Sequence, residues 1–265
     1  MSEDLLYRLE NRVAVLTLNR PERLNALTRE MMQALLARLS ACALDDAVGC
    51  VMVTGAGGAF CAGGDVRVQA RVAAEGSAET PEQRTDLLRT SMEASRLLHE
   101  MPKPTIAMLN GVAAGAGLSL ALACDLRIAG RSARMTTAFA KVGLSGDYGG
   151  TWFLTQLVGT AKARELYFLA DVLDAAQIEA LGLANRVVAD EVLAAQTIQL
   201  AERLANGPSV ALRYMKRNLN VAERSDLAAG LDSEAYGMLR CRASEDHREA
   251  AQAFVEKRTP VFQGR

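Results

Sequence analysis

Two stretches of small residues carry the clearest chemical potential in this chain. The first is Asn110-Gly111-Val112-Ala113-Ala114-Gly115-Ala116-Gly117-Leu118. It follows an apolar run, Thr105 to Leu109, that reads as a buried strand, and it precedes an apolar segment, Leu118 to Cys124, that reads as a short buried helix. A strand that turns into a helix leaves N–H groups without acceptors in the first turn. The helix dipole adds partial positive charge at the same point. Such a turn can hold an anion or a developing oxyanion, and Gly and Ala let a substrate approach the main chain closely. The competing reading is a tight, close-packed turn of an α/β protein. The second stretch, Thr54-Gly55-Ala56-Gly57-Gly58-Ala59-Phe60-Cys61-Ala62-Gly63-Gly64-Asp65, follows the apolar strand Val51-Met52-Val53 and repeats the device. Two such turns that converge can each offer one N–H to a single carbonyl oxygen, which suits an enolate or tetrahedral oxyanion.

A third glycine-rich loop, residues 141–150, contributes a carboxylate, Asp147. Its aromatic neighbours in sequence are Phe139 and Tyr148. A carboxylate against apolar surface has its pKa raised toward a value useful for proton shuttling at neutral pH. One carboxylate suffices for a 1,3-shift, taking a proton from carbon and returning it two carbons along. The alternative for Asp147 is a loop aspartate that caps the helix beginning at Gly149. Asp65 and Asp125 read as structural, the one starting a helix and the other ending one before a strand. His99 and His247 lie within helical runs and read as satisfied surface or interface histidines. Nucleotide chemistry is not supported. There is no phosphate-loop Gly-x-x-x-x-Gly-Lys-Ser/Thr, Gly55-Ala56-Gly57 and Gly115-Ala116-Gly117 lack the third glycine of the dinucleotide fingerprint, and no Gly-x-Ser-x-Gly elbow occurs.

The elements that must position these loops follow from periodicity. Val13 to Leu18 is β-branched and apolar, and Tyr7 to Leu9 can pair with it across Glu10-Asn11-Arg12 as a hairpin. After the polar loop Asn19–Leu27, Thr28 caps a helix whose apolar face carries Met31, Met32, Leu35, Leu36 and Leu39. Arg71 to Thr80 is small, polar and weakly periodic, and reads as a mobile loop. Pro81 starts a helix that runs to about Met101, where Pro102-Lys103-Pro104 stops it. Asp125 to Ala129 reads as a further strand and Arg134-Met135-Thr136 as a short extended piece. From Thr151 onward helical periodicity dominates, over 151–158, 161–169, 174–181, 191–206, 209–222, 225–242 and 244–257. Strands with crossovers come first and helices last, which predicts an α/β core over residues 1–200 followed by a helical C-terminal region over 201–265.

Composition narrows the function classes. The chain has 265 residues, half of them hydrophobic, and a formal net charge of −1. That length can bury a full core. The near-neutral balance gives no electrostatic footprint for nucleic acid or anionic membrane. The start, Met1-Ser2-Glu3-Asp4, has no signal-peptide apolar core, and no apolar run reaches the roughly 20 residues that span a bilayer. Five scattered cysteines (Cys42, Cys50, Cys61, Cys124, Cys241) show no metal-ligand spacing and read as reduced core residues of a cytoplasmic protein.

Four motifs in register resemble the crotonase family, the enoyl-CoA hydratases and isomerases. They are Asn19-Arg20-Pro21-Glu22-Arg23-Leu24-Asn25-Ala26-Leu27, Ala59–Asp65, Asn110–Gly117 and Gly149-Gly150-Thr151. The resemblance extends from about Val13 to Arg265. It is closest to the branch that holds ring-epoxyphenylacetyl-CoA isomerase and related double-bond isomerases, through Val112–Gly117, Ala138–Leu144, Asp147, Gly149–Trp152 and the tail Ala253–Arg258. It implies a spiral of ββα units with a helical trimerisation region, and a homotrimer or a hexamer of two trimers. It also implies acyl-CoA thioester substrates, no cofactor beyond the coenzyme A of the substrate, and an oxyanion hole from the N–H groups of Gly64 and Ala116. Coenzyme A is then expected beside Arg23, Leu24, Ala26, Ala62, Gly64, Asp65 and Val66. Phe254 and Lys257 would reach its adenine or phosphate, often from a neighbouring subunit.

Family hydratases use two glutamates, and the matching positions here hold Ser119 and Phe139. Neither can perform the acid/base work of adding water. The dehalogenase branch expects a histidine where this chain has Met92 and a tryptophan where it has Phe139. Asp147 is left as the acid/base residue, with Phe139 and Tyr148 beside the acyl group and Trp152 and the 71–80 segment as further candidates for a bulky or aromatic pocket. The expectation is therefore a double-bond or ring isomerase. Two alternatives stand beside it: a hydratase that uses Asp147 and water, and a non-catalytic scaffold or RNA-binding relative that kept the fold. The missing basic, aromatic stripe speaks against RNA.

Overall fold

The computed structural model describes residues 4–265, without the side chains at 69, 71 and 73. Strands β1 (Leu5–Glu10) and β2 (Val13–Leu18) form the expected hairpin, joined through Asn11 and Arg12, both at positive φ. Helix α1 (Arg29–Leu44) follows, with the Thr28 hydroxyl accepting from the Met31 N–H as the cap. Strand β3 (Cys50–Gly55) pairs with β2, β5 (Thr105–Leu109) with β3, β7 (Leu126–Gly130) with β5 and β9 (Arg186–Val188) with β7, all in parallel. These six strands make the main sheet, in the order β1-β2-β3-β5-β7-β9.

Of the second sheet, local sequence marks only Arg134-Met135-Thr136 as extended. Strands β4 (Ala59–Cys61), β6 (Val112–Ala114) and β8 (Arg134–Thr136) pair in parallel in that order. Each comes directly after a main-sheet strand, so the chain repeats a strand–strand unit three times, at β3–β4, β5–β6 and β7–β8. The first unit ends in α2 (Val66–Glu75), the second in α5 (Ala116–Leu122) and the third in α6 (Gly150–Leu169). This is the spiral of ββα units. The two glycine-rich stretches are therefore turn, short strand and second turn, not one turn each.

Two further expectations are corrected. Residues 71–75 belong to α2, whose cap is the Asp65 carboxylate accepting the Arg67 N–H and which ends at Gly76 with φ 82°. The alanine-rich run supplies the helix propensity that the polarity hid. The helix from Pro81 is two helices, α3 (Pro81–Ser91) and α4 (Glu93–Glu100), meeting at Met92. Thr85, Thr90 and Ser91 donate hydroxyl bonds to the carbonyls four residues back, which loosens a helix along that line.

The main sheet is covered on both faces, as parallel sheets are. Ala14, Leu16 and Leu18 point into the core shared with α1, α4 and α5. Val13 and Val15, one step out of phase, point to the opposite face with Met52, Ile106 and Ile128, under α8 (Asp190–Ala205). Helix α7 (Ala175–Ala180) packs at the β9 edge. The remaining helices are α9 (Ser209–Ala222), α10 (Leu227–Arg242) and α11 (Glu245–Glu256), with α9 and α10 packed on each other. Lys216 of α9 ties this region to the core: its buried Nζ donates to Leu98 O, Lys103 O and the Asp125 carboxylate at 2.9, 3.1 and 2.8 Å. Among the described residues no helix is long and apolar enough to cross a membrane.

Candidate active site

The loop before α1 and the glycine-rich stretch Thr54–Asp65 are sewn together by backbone and side-chain bonds. Ala62 N–H donates to Leu24 O at 2.9 Å and Leu27 N–H to Gly63 O at 2.8 Å. Asn25, fully buried with φ 57°, accepts from the Arg20 N–H and donates to Ala56 O and Ala59 O. Asn110 clamps the same turn from the other side, donating to Gly55 O and Gly57 O, both at 2.8 Å. A polar amide inside an apolar shell has to find partners, and here each one fixes a turn of the neighbouring unit.

Gly63 and Gly117 set the approach of the two stretches. Gly63 has φ 93°, and a Cβ there would lie 2.9 Å from Ala114 O and 3.5 Å from Ala116 N. A Cβ on Gly117 would meet the Cys61 side chain at 2.6 and 2.8 Å. Only bare backbone allows the stretch Thr54–Asp65 to lie against the start of α5. Ala116 is the first residue of that helix, behind Gly115, so its N–H has no acceptor within the helix. Cys61 sits between the stretches as a lock. Its Sγ donates to Asn25 O at 3.1 Å and accepts the Gly63 N–H at 3.4 Å, and burial pushes its thiol up to about 12.

Asp147 enters from the third loop. Its carbonyl, not its carboxylate, takes the Gly150 N–H, and α6 starts from Gly149 without any side-chain cap. The capping alternative for this residue is therefore excluded. Its Oδ1 is buried and has no hydrogen-bond partner. Desolvation pushes the carboxyl up to about 6. Gly64, Ala116, Asp147 and Tyr148 all line one cavity of about 440 Å³, walled further by Leu27, Met32, Leu36, Val72, Leu87, Leu88 and Ser91. A second carboxylate on this wall, Glu79, escaped the sequence reading. Each of its oxygens accepts from Arg29, at 2.7 and 2.9 Å, and this pairing holds it below the usual carboxylate range.

The other expected residues fall in four places. Arg23 and Leu24 end a short 3-10 turn at Pro21–Arg23 and Ala26 is buried just behind it, with Ala62, Asp65 and Val66 opposite. Asp65 spends its carboxylate on Arg20, at 3.2 Å, and on the start of α2. Phe139 stacks on Tyr167 with centroids 5.9 Å apart and planes 7° apart, and its ring edge stands beside Gly115. Tyr167 gave no signal in the sequence, since a tyrosine late in a helix has no local mark of its partner. Trp152 packs on His99 and Phe153 and lines a different cavity from Asp147. Phe254 is 86% exposed on α11 and Lys257 ends that helix.

Residues 8–265 match the family described as enoyl-CoA hydratase/isomerase. The chain is 42% identical to 1,2-epoxyphenylacetyl-CoA isomerase of Escherichia coli K12 over 265 residues, covering all of both chains. It is 34% identical to 2,3-dehydroadipyl-CoA hydratase of the same organism, again over the whole of both. Among solved structures, an enoyl-CoA hydratase from Polaromonas sp. JS666 superposes with a TM-score of 0.91 at 32% identity, covering 98% of this chain and 99% of that one.

The unpartnered carboxylate has a consequence for stability. Its pKa in the fold, about 6, lies above the roughly 3.9 of an unfolded aspartate. The fold therefore carries a penalty above pH 6 that disappears as the pH falls toward 4. Asp147→Asn is expected to stabilise the protein at pH 8 by on the order of 1–3 kcal/mol, with the gain shrinking toward pH 4. Urea unfolding of both proteins across that range measures it. A gain that does not change with pH would mean that Asp147 is not a strained carboxylate.

Proposed function

The chain belongs to the enoyl-CoA hydratase/isomerase family, and from that premise we propose that it is a double-bond or ring isomerase of acyl-CoA thioesters that works through a thioester enolate, as follows for the double-bond shift. The observation that carries the reading is the buried, unpartnered Asp147 Oδ1 on the same cavity as Gly64 and Ala116. The thioester carbonyl oxygen sits between the Gly64 and Ala116 N–H groups, each worth about 3–4 kcal/mol once negative charge develops there. The Asp147 carboxylate takes a proton from Cα, and the C–H electron pair moves into the enolate. Asp147 then returns the proton to Cγ, the double bond moves, and the carboxylate is regenerated. Nothing else is consumed. A carboxyl titrating near 6 is ionised enough at neutral pH to accept the proton and acidic enough to give it back.

Ser119 supports isomerisation over hydration. Its Oγ donates to Gly115 O at 3.3 Å and lies against the Tyr167 hydroxyl, so at this former glutamate position there is no group to activate water. The names of several relatives favour the second reading, in which Asp147 directs a water onto a 2-enoyl thioester. Coenzyme A lies along Arg23, Leu24, Ala26, Ala62, Gly64, Asp65 and Val66, and no separate cofactor is required. Phe254 and Lys257 serve the adenine end from a neighbouring subunit.

Asp147→Asn keeps shape but cannot accept a proton. Turnover of 3-enoyl-CoA thioesters is expected to fall by roughly two to four orders of magnitude while binding survives. Exchange of Cα and Cγ hydrogens with deuterated water should vanish with it, and wild-type kcat/KM should decline as pH drops through about 6. Exchange at the wild-type rate in the asparagine variant would overturn the mechanism. A 3-hydroxyacyl product from 2-enoyl thioesters would select hydration instead.

Assembly is part of the same reading. Leu227, Leu231 and Leu239 on α10 and Phe254 on α11 are exposed apolar side chains of the sort that oligomer interfaces cover. Sedimentation at micromolar concentration is expected to show a homotrimer or hexamer, and a monomer would remove the contact of Phe254 and Lys257 across subunits.

A further inference from the structure

A second cavity, of about 360 Å³, adjoins the one that holds Asp147. Tyr148 is the one side chain, among the described residues, that lines both. The chain crosses from one cavity to the other at two places. Asp147 and Ser91 face the first, whereas Gly149 and Met92 face the second. Tyr148 is 5% exposed, and its hydroxyl stands near the Ser91 side chain, across the gap between these two crossings. It is a partition between the two cavities.

The space behind the partition has a definite chemistry. Met92, His99, Trp152 and Phe153 form its wall, with the three rings in edge-to-face contact at 5.1–5.3 Å between centroids. The arginines at its rim are already paired: Arg89 with Glu93, Arg96 with Glu93 and Glu100, and Arg224 with Glu100. With its cations neutralised, the chamber suits an apolar or aromatic group and not an anion.

The backbone shows that Tyr148 is retained against a local cost. Its φ is 50°, between Gly146 at 116° and Gly149 at 76°. A bulky side chain in the left-handed region costs about 1–2 kcal/mol that glycine does not incur. The loop would accept glycine at this position without strain, so the ring itself is the feature that the conformation keeps.

We propose that Tyr148 sets the length and bulk of the acyl group, ending the acyl site at its ring, and that the aromatic chamber behind it is an extension of that site which the ring shuts off. The proposal rests on the acyl-CoA reading above. Wild-type enzyme then favours acyl groups that stop at Tyr148, and removal of the ring admits long or ring-bearing acyl groups into the chamber.

The test is the ratio of kcat/KM for long-chain over short-chain 3-enoyl-CoA thioesters, with Kd values for the matching saturated acyl-CoAs. Any change that Tyr148 makes to catalysis itself acts on all chain lengths and cancels in the ratio. Tyr148→Gly is expected to raise it at least about tenfold, because each methylene buried in an apolar pocket is worth roughly that much. Tyr148→Phe keeps the ring and should leave the ratio unchanged. Met92→Trp added to Tyr148→Gly refills the chamber and should restore the wild-type preference. If Tyr148→Gly folds and binds short acyl-CoA but neither the rate ratio nor the Kd ratio moves, the partition is wrong and the isomerase reading stands. If wild-type protein neither binds nor converts any thioester, the isomerase reading fails and the partition falls with it.

Discussion

The structure depends on one close approach of backbone to backbone. Gly63 lies against Ala114 and Ala116, and Gly117 lies against Cys61, at separations that leave no room for a Cβ on either glycine. Everything around this contact serves to hold it. The small parallel sheet β4-β6-β8 sets the two stretches side by side. The amides of Asn25 and Asn110 pin the turn between β3 and β4 from both sides. The Cys61 thiol adds one bond to Asn25 O in the loop before α1 and accepts one from the Gly63 N–H of its own stretch. Donors fixed in this way cost nothing to reorganise when charge appears on a substrate oxygen, and that is the source of their power over the same groups in water.

Asp147 is the complementary constraint. A scaffold selected for stability alone would give a half-buried carboxylate a cation or a ladder of N–H groups, as it does for Glu79 with Arg29 and for Asp65 with Arg20. Asp147 has neither, and its carboxyl rises to about 6 from burial alone. Local instability of this kind is tolerated where it does chemistry. The glycines around it allow the loop to deliver the carboxylate to the cavity while Tyr148 closes the far side.

Much of the fold was legible because helices advertise themselves. The Thr28 cap, the α1 face of Met31, Met32, Leu35 and Leu39, and the C-terminal run of helices all follow from a period of 3.6 residues and from cap chemistry. The small sheet was not legible. A strand of three residues cannot display alternation, and Ala59–Cys61 and Val112–Ala114 pair over 50 residues of separation. The start of helix α2 was legible in Asp65, but its end was hidden because the exposed, polar run from Arg71 looked like loop. At the site, Gly64, Ala116 and Asp147 could be singled out from local sequence and from resemblance to a family. Tyr167, the Glu79–Arg29 pair and the wall behind Tyr148 could not, because each is made by elements that meet only in three dimensions. Trp152 shows the converse error: an aromatic near Asp147 in sequence faces a different cavity.

The central claim is that the Gly64 and Ala116 N–H groups polarise a thioester carbonyl. The most direct measurement is the infrared stretch of that carbonyl, isotope-labelled, in an unreactive acyl-CoA bound to the protein. Two donors aimed at the oxygen weaken the C=O bond, so the band is expected to move to lower frequency on binding. Ala116→Pro removes one donor and should cancel a large part of the shift. A bound thioester whose carbonyl absorbs at the same frequency as in free solution would contradict the account.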